Sequence, residues 1–243
     1  MLKRRVLLVS IGLVLLLGLF SGMGVMAQGD IPEDAVGFYT KDGEVHWIVP
    51  GAGIDITDLS GMTPADLEAL FPMSAEAEAA IVHQVPPRPV VIDGVPYEAD
   101  GVSLFDGQRL RFIVGNDRVL YAFTTMEGLE QFKQEQYGQP TPQGSSMAGG
   151  QSLLDTLSMF YEDWWYGGDY FGLAPGYGLP YLYQIGFDDM ISSVQVNSAA
   201  SWAYLFDYVN YGGDYFAMEG GTNWPVLSLY GWNDRASSVA VYE

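Results

Sequence analysis

The last third of the chain contains a duplicated stretch. Residues 160–196 align without a gap on residues 205–241, which lie 45 positions later, and 15 of the 37 aligned positions are identical. The run Tyr-Gly-Gly-Asp-Tyr-Phe begins at Tyr166 and again at Tyr211. A repeat at one fixed period usually marks copies of a supersecondary unit that cannot bury its apolar face alone. Because there are only two copies, we expect one closed domain rather than an open array.

Each copy has the pattern of four short strands with aromatic corners. An aromatic hairpin opens the copy, and Gly168 or Gly213 stands where the backbone must take a positive φ or pass close to a ring. Two further strands are predicted in each copy, at 181–185, 193–196, 226–230 and 238–241. Four short strands of this kind fit a Greek key.

The two copies together predict the architecture of the C-terminal part. Greek keys at about 158–197 and 203–243 are expected to pack as an all-β sandwich, within a domain that spans residues 152–243. We expect a set of aromatic residues to pack in the core and corners: Trp164, Trp165, Tyr170, Phe171, Tyr177, Tyr181 and Tyr183. Exposed rings would instead suit stacking on carbohydrate.

A second pair of matching motifs closes each copy. The sequence Asp-Asp-Met-Ile-Ser-Ser at 188–193 aligns with Asn-Asp-Arg-Ala-Ser-Ser at 233–238, and we call these stretches the first clamp and the second clamp. Alone, each acidic pair would indicate a solvated turn, but the repeated Ser-Ser context favours a binding site. Together with the opening hairpins, the clamps resemble the Greek-key motifs and calcium-binding loops of the βγ-crystallin family. The resemblance covers roughly residues 157–243.

The resemblance implies that each clamp completes a calcium site of the other. One ion would be bound by the Ser192 hydroxyl, the Met190 carbonyl and the Asp234 carboxylate. A main-chain carbonyl of the opening hairpin, at about Glu162, is implied as well. Calcium takes six to eight oxygen ligands, so water would complete the shell.

The other ion would be bound in the same way by Ser237, the Arg235 carbonyl and the Asp189 carboxylate. Its hairpin carbonyl would come from about Asp207. Arg235 and Ala236 depart from the first clamp, because one adds a cation that must point away from the ion and the other packs less firmly.

Four further residues have supporting roles in the resemblance. Asp188 and Asn233 would shape the two loops, and Ser193 and Ser238 would tie each loop to its opening hairpin. With one carboxylate per site, we expect dissociation constants on the order of 10⁻⁴–10⁻³ M, as in other extracellular modules.

The first residues have the form of a cleavable signal peptide. Basic residues at 3–5 precede an apolar run at 6–20, and small residues lead to Ala27. An apolar run of about 15 residues is short for a spanning helix, which needs roughly 20. We therefore predict a signal peptide at residues 1–27, cleavage after Ala27 and a secreted protein. An uncleaved anchor is the alternative.

The charge and the composition exclude several classes of protein. The chain has a formal net charge of −20, and removal of the three basic residues of the signal peptide brings it to −23. This charge argues against binding to nucleic acid or to anionic membranes and suits divalent cations. The absence of cysteine excludes disulfides and a lipid-anchored lipoprotein. A bound metal ion therefore becomes a more plausible means of stabilising the fold.

Residues 28–138 predict a small α+β module of unknown role. Hairpins are expected at Asp-Gly or Gly-Asn-Asp turns near residues 42, 93 and 116, and short helices after Thr63 and Ser74. Thr124 and Glu127 have the spacing of a capping box for a third helix. The stretch 139–151 is rich in Pro, Gly and Ser and is predicted to be a flexible linker.

No group of residues indicates an enzyme. His46 and His83 are the only histidines and are far apart in sequence, and no cysteine nucleophile or G-x-S-x-G motif is present. The first hypothesis is therefore a secreted, non-enzymatic calcium-binding protein with a structural or surface role and an extracellular protein or polysaccharide as partner. A secreted protease inhibitor of the same fold and a carbohydrate-binding module are the alternatives, and the oligomeric state is left open.

Overall fold

The computed structural model of the protein describes residues 31–138 and 152–243. The predicted signal peptide at 1–27 and the predicted linker at 139–151 lie outside these residues. Within the described ranges the chain forms 15 β-strands and three α-helices. None of these helices has the length and apolar character that crossing a membrane requires.

The N-terminal part contributes seven strands, and its three predicted hairpins are present. β1 pairs with β2, β4 with β5 and β6 with β7, each pair antiparallel. The seven strands are β1 (Gly37–Lys41), β2 (Glu44–Ile48), β3 (Thr57–Asp58), β4 (Val90–Ile92), β5 (Val95–Tyr97), β6 (Arg111–Val114) and β7 (Leu120–Phe123).

The three helices begin at polar caps. Helix α1 (Pro64–Leu70) starts at Thr63, which forms a capping box with Asp66, and α2 (Ala75–Ala79) starts at Ser74. Helix α3 (Met126–Tyr137) is capped by Thr125, whose hydroxyl accepts the N–H of Gly128.

The prediction that Thr124 caps the third helix is therefore wrong. The Thr124 hydroxyl donates to the Asp93 carboxylate at 2.7 Å, and its N–H donates to the same carboxylate. Because Asp93 holds both groups, the neighbouring threonine takes the capping position.

Each copy of the repeat forms four strands, as predicted. The first copy consists of β8 (Ser158–Tyr161), β9 (Tyr170–Leu173), β10 (Tyr177–Leu179) and β11 (Ser193–Gln195). The second copy consists of β12 (Trp202–Tyr208), β13 (Gly212–Glu219), β14 (Asn223–Trp224) and β15 (Ser238–Tyr242). The glycine positions follow the prediction, since Gly168 and Gly213 have φ of 72° and 69°.

The third strand of each copy lies in the sheet of the other copy. β10 pairs with β15, and β14 pairs with β11. One sheet has six strands in the order β14-β11-β8-β9-β1-β2, and the other has nine in the order β3-β10-β15-β12-β13-β6-β7-β4-β5. This exchange makes the two copies interdependent.

The strands predicted at 181–185 and 226–230 are wrong. These residues form short 3₁₀ helices at Leu182–Ile185 and Leu227–Tyr230. The Leu182 N–H donates to the Ser237 carbonyl, and the Leu227 N–H donates to the Ser192 carbonyl, both at 3.0 Å. Leu182, Ile185 and Leu227 are thus buried through turns that brace the opposite clamp.

The N-terminal part extends both sheets of the C-terminal part. β1 pairs antiparallel with β9, and β6 pairs parallel with β13, which is the equivalent strand of the second copy. Pro32–Glu243 accordingly forms one compact unit. The elements predicted for an α+β module are present, but their strands continue the sheets of the Greek keys.

Alternation along β12 explains how the nine-stranded sheet is covered on both faces. Ala203 and Leu205 pack in the core between the two sheets. Tyr204 and Phe206 point to the other face, where they join a second cluster that includes Leu129 of α3. Side chains alternate in this way because successive residues of a strand face opposite sides.

Candidate metal centre between the two copies

A serine ties each clamp to its own opening hairpin. Ser193 accepts the Tyr166 N–H at 3.0 Å and donates to the Asp163 carbonyl at 2.6 Å. Ser238 makes the corresponding two bonds in the second copy at the same distances, 3.0 and 2.6 Å. These bonds fix the main chain of both clamps in the same position relative to their hairpins.

The two clamps are also bonded to each other. The Asp189 N–H donates to the Ala236 carbonyl at 3.0 Å, and the Asp234 N–H donates to the Ile191 carbonyl at 3.1 Å. Asp189 and Asp234 have left-handed backbones with φ of 53° and 50°, which aspartate tolerates better than most residues. Each aspartate is therefore held beside the opposite clamp.

The structure brings together the residues assigned to the first ion. The Ser192 hydroxyl donates to Asp234 Oδ1 at 2.9 Å, which joins the two copies. Around this bond lies a cavity of about 610 Å³, lined by Glu162, Asp163, Trp164, Asp189, Met190, Ser192, Asn233 and Asp234. The cavity thus contains all four of the residues that the resemblance assigns to this ion.

The charge of this cavity suits a cation. Four of its lining residues are carboxylates, and no Lys, Arg or His lines it. Partial desolvation, and then the charges of Asp188, Asp207 and Asp234, raise the pKa of Asp189. A bound cation would relieve this repulsion, because an opposite charge favours the ionised form of a carboxyl group.

The ligands available here are mainly neutral oxygens. Among the described residues no group of three His, Cys, Asp or Glu side chains converges as a metal-binding set. A hydroxyl, main-chain carbonyls and one carboxylate are a ligand set that a hard cation such as calcium accepts. The residues of the first clamp therefore fit calcium.

Sequence reasoning missed the contribution of Trp164. Its indole N–H donates to Asn233 Oδ1 at 2.5 Å, and the Asn233 amide donates to Asp234 Oδ2 at 2.6 Å. These bonds orient the carboxylate that faces Ser192. Asp188 is exposed, and its charge is one of those that raise the pKa of Asp189.

The second clamp has a different electrostatic environment. The Arg235 guanidinium is 3% exposed and makes a two-pronged contact with Asp207, at 2.6 and 2.9 Å. It also donates to Asp214 at 2.9 Å and lies 4.3 Å from the centre of the Trp232 ring. The guanidinium therefore turns into the protein, where two carboxylates neutralise it.

Asp214 extends this cluster to the N-terminal part. Its side chain is fully buried, and it accepts the Leu110 N–H and a bond from His83 Nδ1, both at 2.8 Å. His83 Nε2 lies 2.9 Å from the Phe105 carbonyl. Carboxylate and carbonyl oxygens only accept, so these contacts fit an imidazole that carries hydrogen on both ring nitrogens, which is the cationic form.

The pKa of His83 agrees with this protonation state. Burial alone would lower the pKa, but the hydrogen bond and charge of Asp214, together with Phe105 and Asp106, raise it overall. His83 is 131 positions from Asp214, so no local pattern connects the two. The sequence feature that could have pointed to Asp214 is the aspartate that both Tyr-Gly-Gly-Asp-Tyr-Phe runs contain, because it marks Asp214 as part of the repeat.

Core packing is a wrong prediction for three aromatic residues. Trp164 is 52% exposed, Trp165 71% and Tyr183 57%. Trp165 lies in the turn of the opening hairpin with a left-handed backbone, φ 59°, where its side chain leaves the sheet. By contrast, Phe171 is fully buried, as expected.

The fold defines a class of domain. Two Greek keys that exchange their third strands, each closed by a serine-anchored clamp, form a β-sandwich with a small helical part. We found no match to the chain among protein-family models or curated protein sequences.

Among solved structures the chain is similar to several βγ-crystallin domains. A βγ-crystallin from Ciona intestinalis is 24% identical with a TM-score of 0.31, and the match covers 35% of this chain and 98% of that one. A betagamma-crystallin from an archaeon is also 24% identical with a TM-score of 0.31, covering 35% and 95%. A betagamma-crystallin domain from Clostridium beijerinckii is 27% identical with a TM-score of 0.29, covering 36% and 98%. These matches cover about 36% of this chain.

Proposed function

We propose that the protein is a secreted, non-enzymatic calcium-binding protein whose Greek-key domain is stabilised by calcium at the first clamp. The observation that carries this proposal is the anionic cavity in which Ser192 and Asp234, from different copies, approach to 2.9 Å. An ion bound there joins the two copies. Ligand at about 100 times its dissociation constant stabilises the folded state by about 2.7 kcal/mol.

The test is a calcium titration followed by thermal unfolding of the chain. Calcium at about 10 mM, roughly ten times the weakest dissociation constant expected for an extracellular module, should raise the melting temperature, and a chelator should reverse the shift. Asp234→Asn should abolish the shift. Asp188→Asn is the matched control, because it removes the same charge from an exposed side chain that is not a proposed ligand. An unchanged melting temperature in calcium contradicts the proposal.

Secretion is tested separately. Expression of the full chain in a bacterium that exports proteins should release a protein that begins at Gln28. An intact N-terminus retained in the membrane fraction would instead support the anchor.

Polysaccharide binding is a second candidate, favoured by the exposure of Trp164 and Trp165. Exposed indole faces offer apolar area against which a sugar ring can stack. Affinity electrophoresis against a set of soluble polysaccharides tests it, with Trp165→Ala expected to lose any retardation. Leu104→Ala is the control, since it removes an apolar side chain that is 75% exposed in the N-terminal part. Equal mobility of the wild-type protein with and without polysaccharide counts against this candidate.

A further inference from the structure

The two clamps differ in how the negative charge around them is balanced. The cavity at the first clamp is lined by four carboxylates without a basic side chain. At the second clamp the position of Met190 is taken by Arg235, whose guanidinium is buried against Asp207 and Asp214. One clamp thus has negative charge that no basic side chain lining its cavity balances, and the other has a built-in cation.

The cation at the second clamp is rigidly held. Three guanidinium–carboxylate contacts of 2.6–2.9 Å fix it, and the Trp232 ring lies against it. His83 Nδ1 lies 2.8 Å from Asp214 Oδ2, the oxygen that also accepts from Arg235. Because Arg235 and the cationic His83 face Asp207 and Asp214, two positive charges balance two negative charges.

We infer that the chain supplies the second cation itself: the Arg235 guanidinium, held by Asp207 and Asp214, takes the place of a second calcium ion, and calcium binds at the first clamp only. This inference rests on the proposed binding at the first clamp and adds its stoichiometry. It differs from the expectation of two sites that the resemblance implies.

The geometry of the implied ligands supports this assignment. Two of the main-chain carbonyls expected for the second ion belong to Arg235 and Asp207, the residues that the buried ion pair joins. The Arg235 guanidinium already balances the carboxylates around these residues, so less negative charge is left to attract a dication than in the cavity at the first clamp. In the described part of the chain, moreover, the bond between Ser192 and Asp234 has no counterpart between Ser237 and Asp189.

Calcium stoichiometry, measured by isothermal titration and native mass spectrometry, tests the inference. The wild-type chain should bind one ion. Ser192→Ala should lose it, whereas Ser237→Ala, the same change at the twin position, should still bind one ion with unchanged affinity. Neither change removes a buried charge, so both variants are expected to fold.

A gain of binding completes the test. Arg235→Met copies the first clamp and removes the cation paired with Asp207, so this variant should bind two ions. Arg235→Lys keeps a cation and should bind one. An Arg235→Met variant that unfolds cooperatively but still binds one ion overturns the inference. If it does not fold, the pair of serine variants decides.

The possible stoichiometries separate the two proposals. Two ions in the wild-type chain, or loss of binding in Ser237→Ala, overturn the inference and leave calcium binding intact. No binding in the wild-type chain overturns the proposed function and the inference with it.

Discussion

The two clamps share a main-chain geometry and differ in charge. Both are tied to their hairpins by serine bonds of 3.0 and 2.6 Å, and both have an aspartate with φ near 50°. Yet Met190 lies in an anionic cavity, whereas Arg235 lies in a balanced ionic cluster. The comparison shows that main-chain bonds and serines determine the conformation of each clamp. The side chains between them are therefore free to differ, and they determine how the negative charge at each clamp is balanced.

The same contrast appears where the N-terminal part meets each copy. Asp169 and Asp214 are equivalent residues of the repeat, and each accepts a bond from the N-terminal part. The partner of Asp169 is the hydroxyl of Thr40 at 3.1 Å, and that of Asp214 is the His83 imidazolium at 2.8 Å. The contact of Asp169 joins a neutral hydroxyl to a partly exposed carboxylate. The contact of Asp214 is an ion pair in the interior.

The largest expected effect separates these two aspartates. Asp214→Asn leaves Arg235 and His83 with reduced compensation in the interior, and breaking a buried ion pair in this way costs about 3–5 kcal/mol. Asp169→Asn weakens one bond to a hydroxyl and should cost about 1 kcal/mol. Urea denaturation of both variants measures the difference. Equal losses would show that the second copy does not depend on its ionic cluster.

A second change introduces the arginine of the second clamp into the first clamp. Met190→Arg places a guanidinium within the first copy, where Glu162 and Asp169 occupy the positions equivalent to Asp207 and Asp214. The variant should lose the calcium-dependent stabilisation, which is about 2.7 kcal/mol at 100 times the dissociation constant. Calcium titration followed by unfolding measures it, and Met190→Leu, which keeps the main-chain carbonyl and the volume, is the control. Normal calcium binding by Met190→Arg would contradict the link between guanidinium and ion.

The pH dependence of stability sharpens the role of His83. Because the pKa of His83 is higher in the folded state than the ordinary value of 6.5, the folded state retains the proton longer than the unfolded state. This contribution is fully present below pH 6.5 and is lost as the pH rises through the raised pKa, with a slope of at most about 1.4 kcal/mol per pH unit. Chemical denaturation across this window should show the decline.

The control for this measurement is His83→Gln. The variant should be less stable at low pH and should lack the decline. A wild-type stability that stays level or rises over the same window would show that the imidazolium does not contribute.

The smallest effect concerns what the clamps have in common. Ser193→Ala and Ser238→Ala each remove an anchor of a clamp, and each should cost about 1 kcal/mol. Similar losses in denaturation experiments would confirm that the serines act alike in both copies. A loss of stability in only one variant would show that the two serines contribute unequally to stability although their hydrogen bonds have equal lengths.

The parts of the fold with local signals could be predicted from the sequence. The repeat indicated two Greek keys, Asp-Gly turns indicated hairpins, and Thr63 indicated a helix start. The resemblance to βγ-crystallins also named Ser193 and Ser238 as anchors of the clamps. Each of these inferences depends on residues that lie close together in the chain or recur at a fixed spacing.

The remaining features depend on contacts between distant residues. His83 and Asp214 meet across 131 positions, and β6 joins β13 in parallel without a connecting motif. The run at Leu182–Ile185 has the composition of a strand but forms a 3₁₀ helix, because its first N–H is bonded to the opposite clamp. Trp165 is exposed because the hairpin turn directs it outwards, which its hydrophobicity does not reveal.

The exchange of third strands has a consequence for a chain with one copy only. In such a chain β10 would have no β15 beside it, and β11 would lack β14. Two single-copy chains could each supply the missing neighbour to the other, and their association would then depend on concentration, as in any two-fold dimer. Duplication places both halves on one polypeptide, where the effective concentration of each for the other is set by the short connection between them. The sandwich therefore holds together at any dilution.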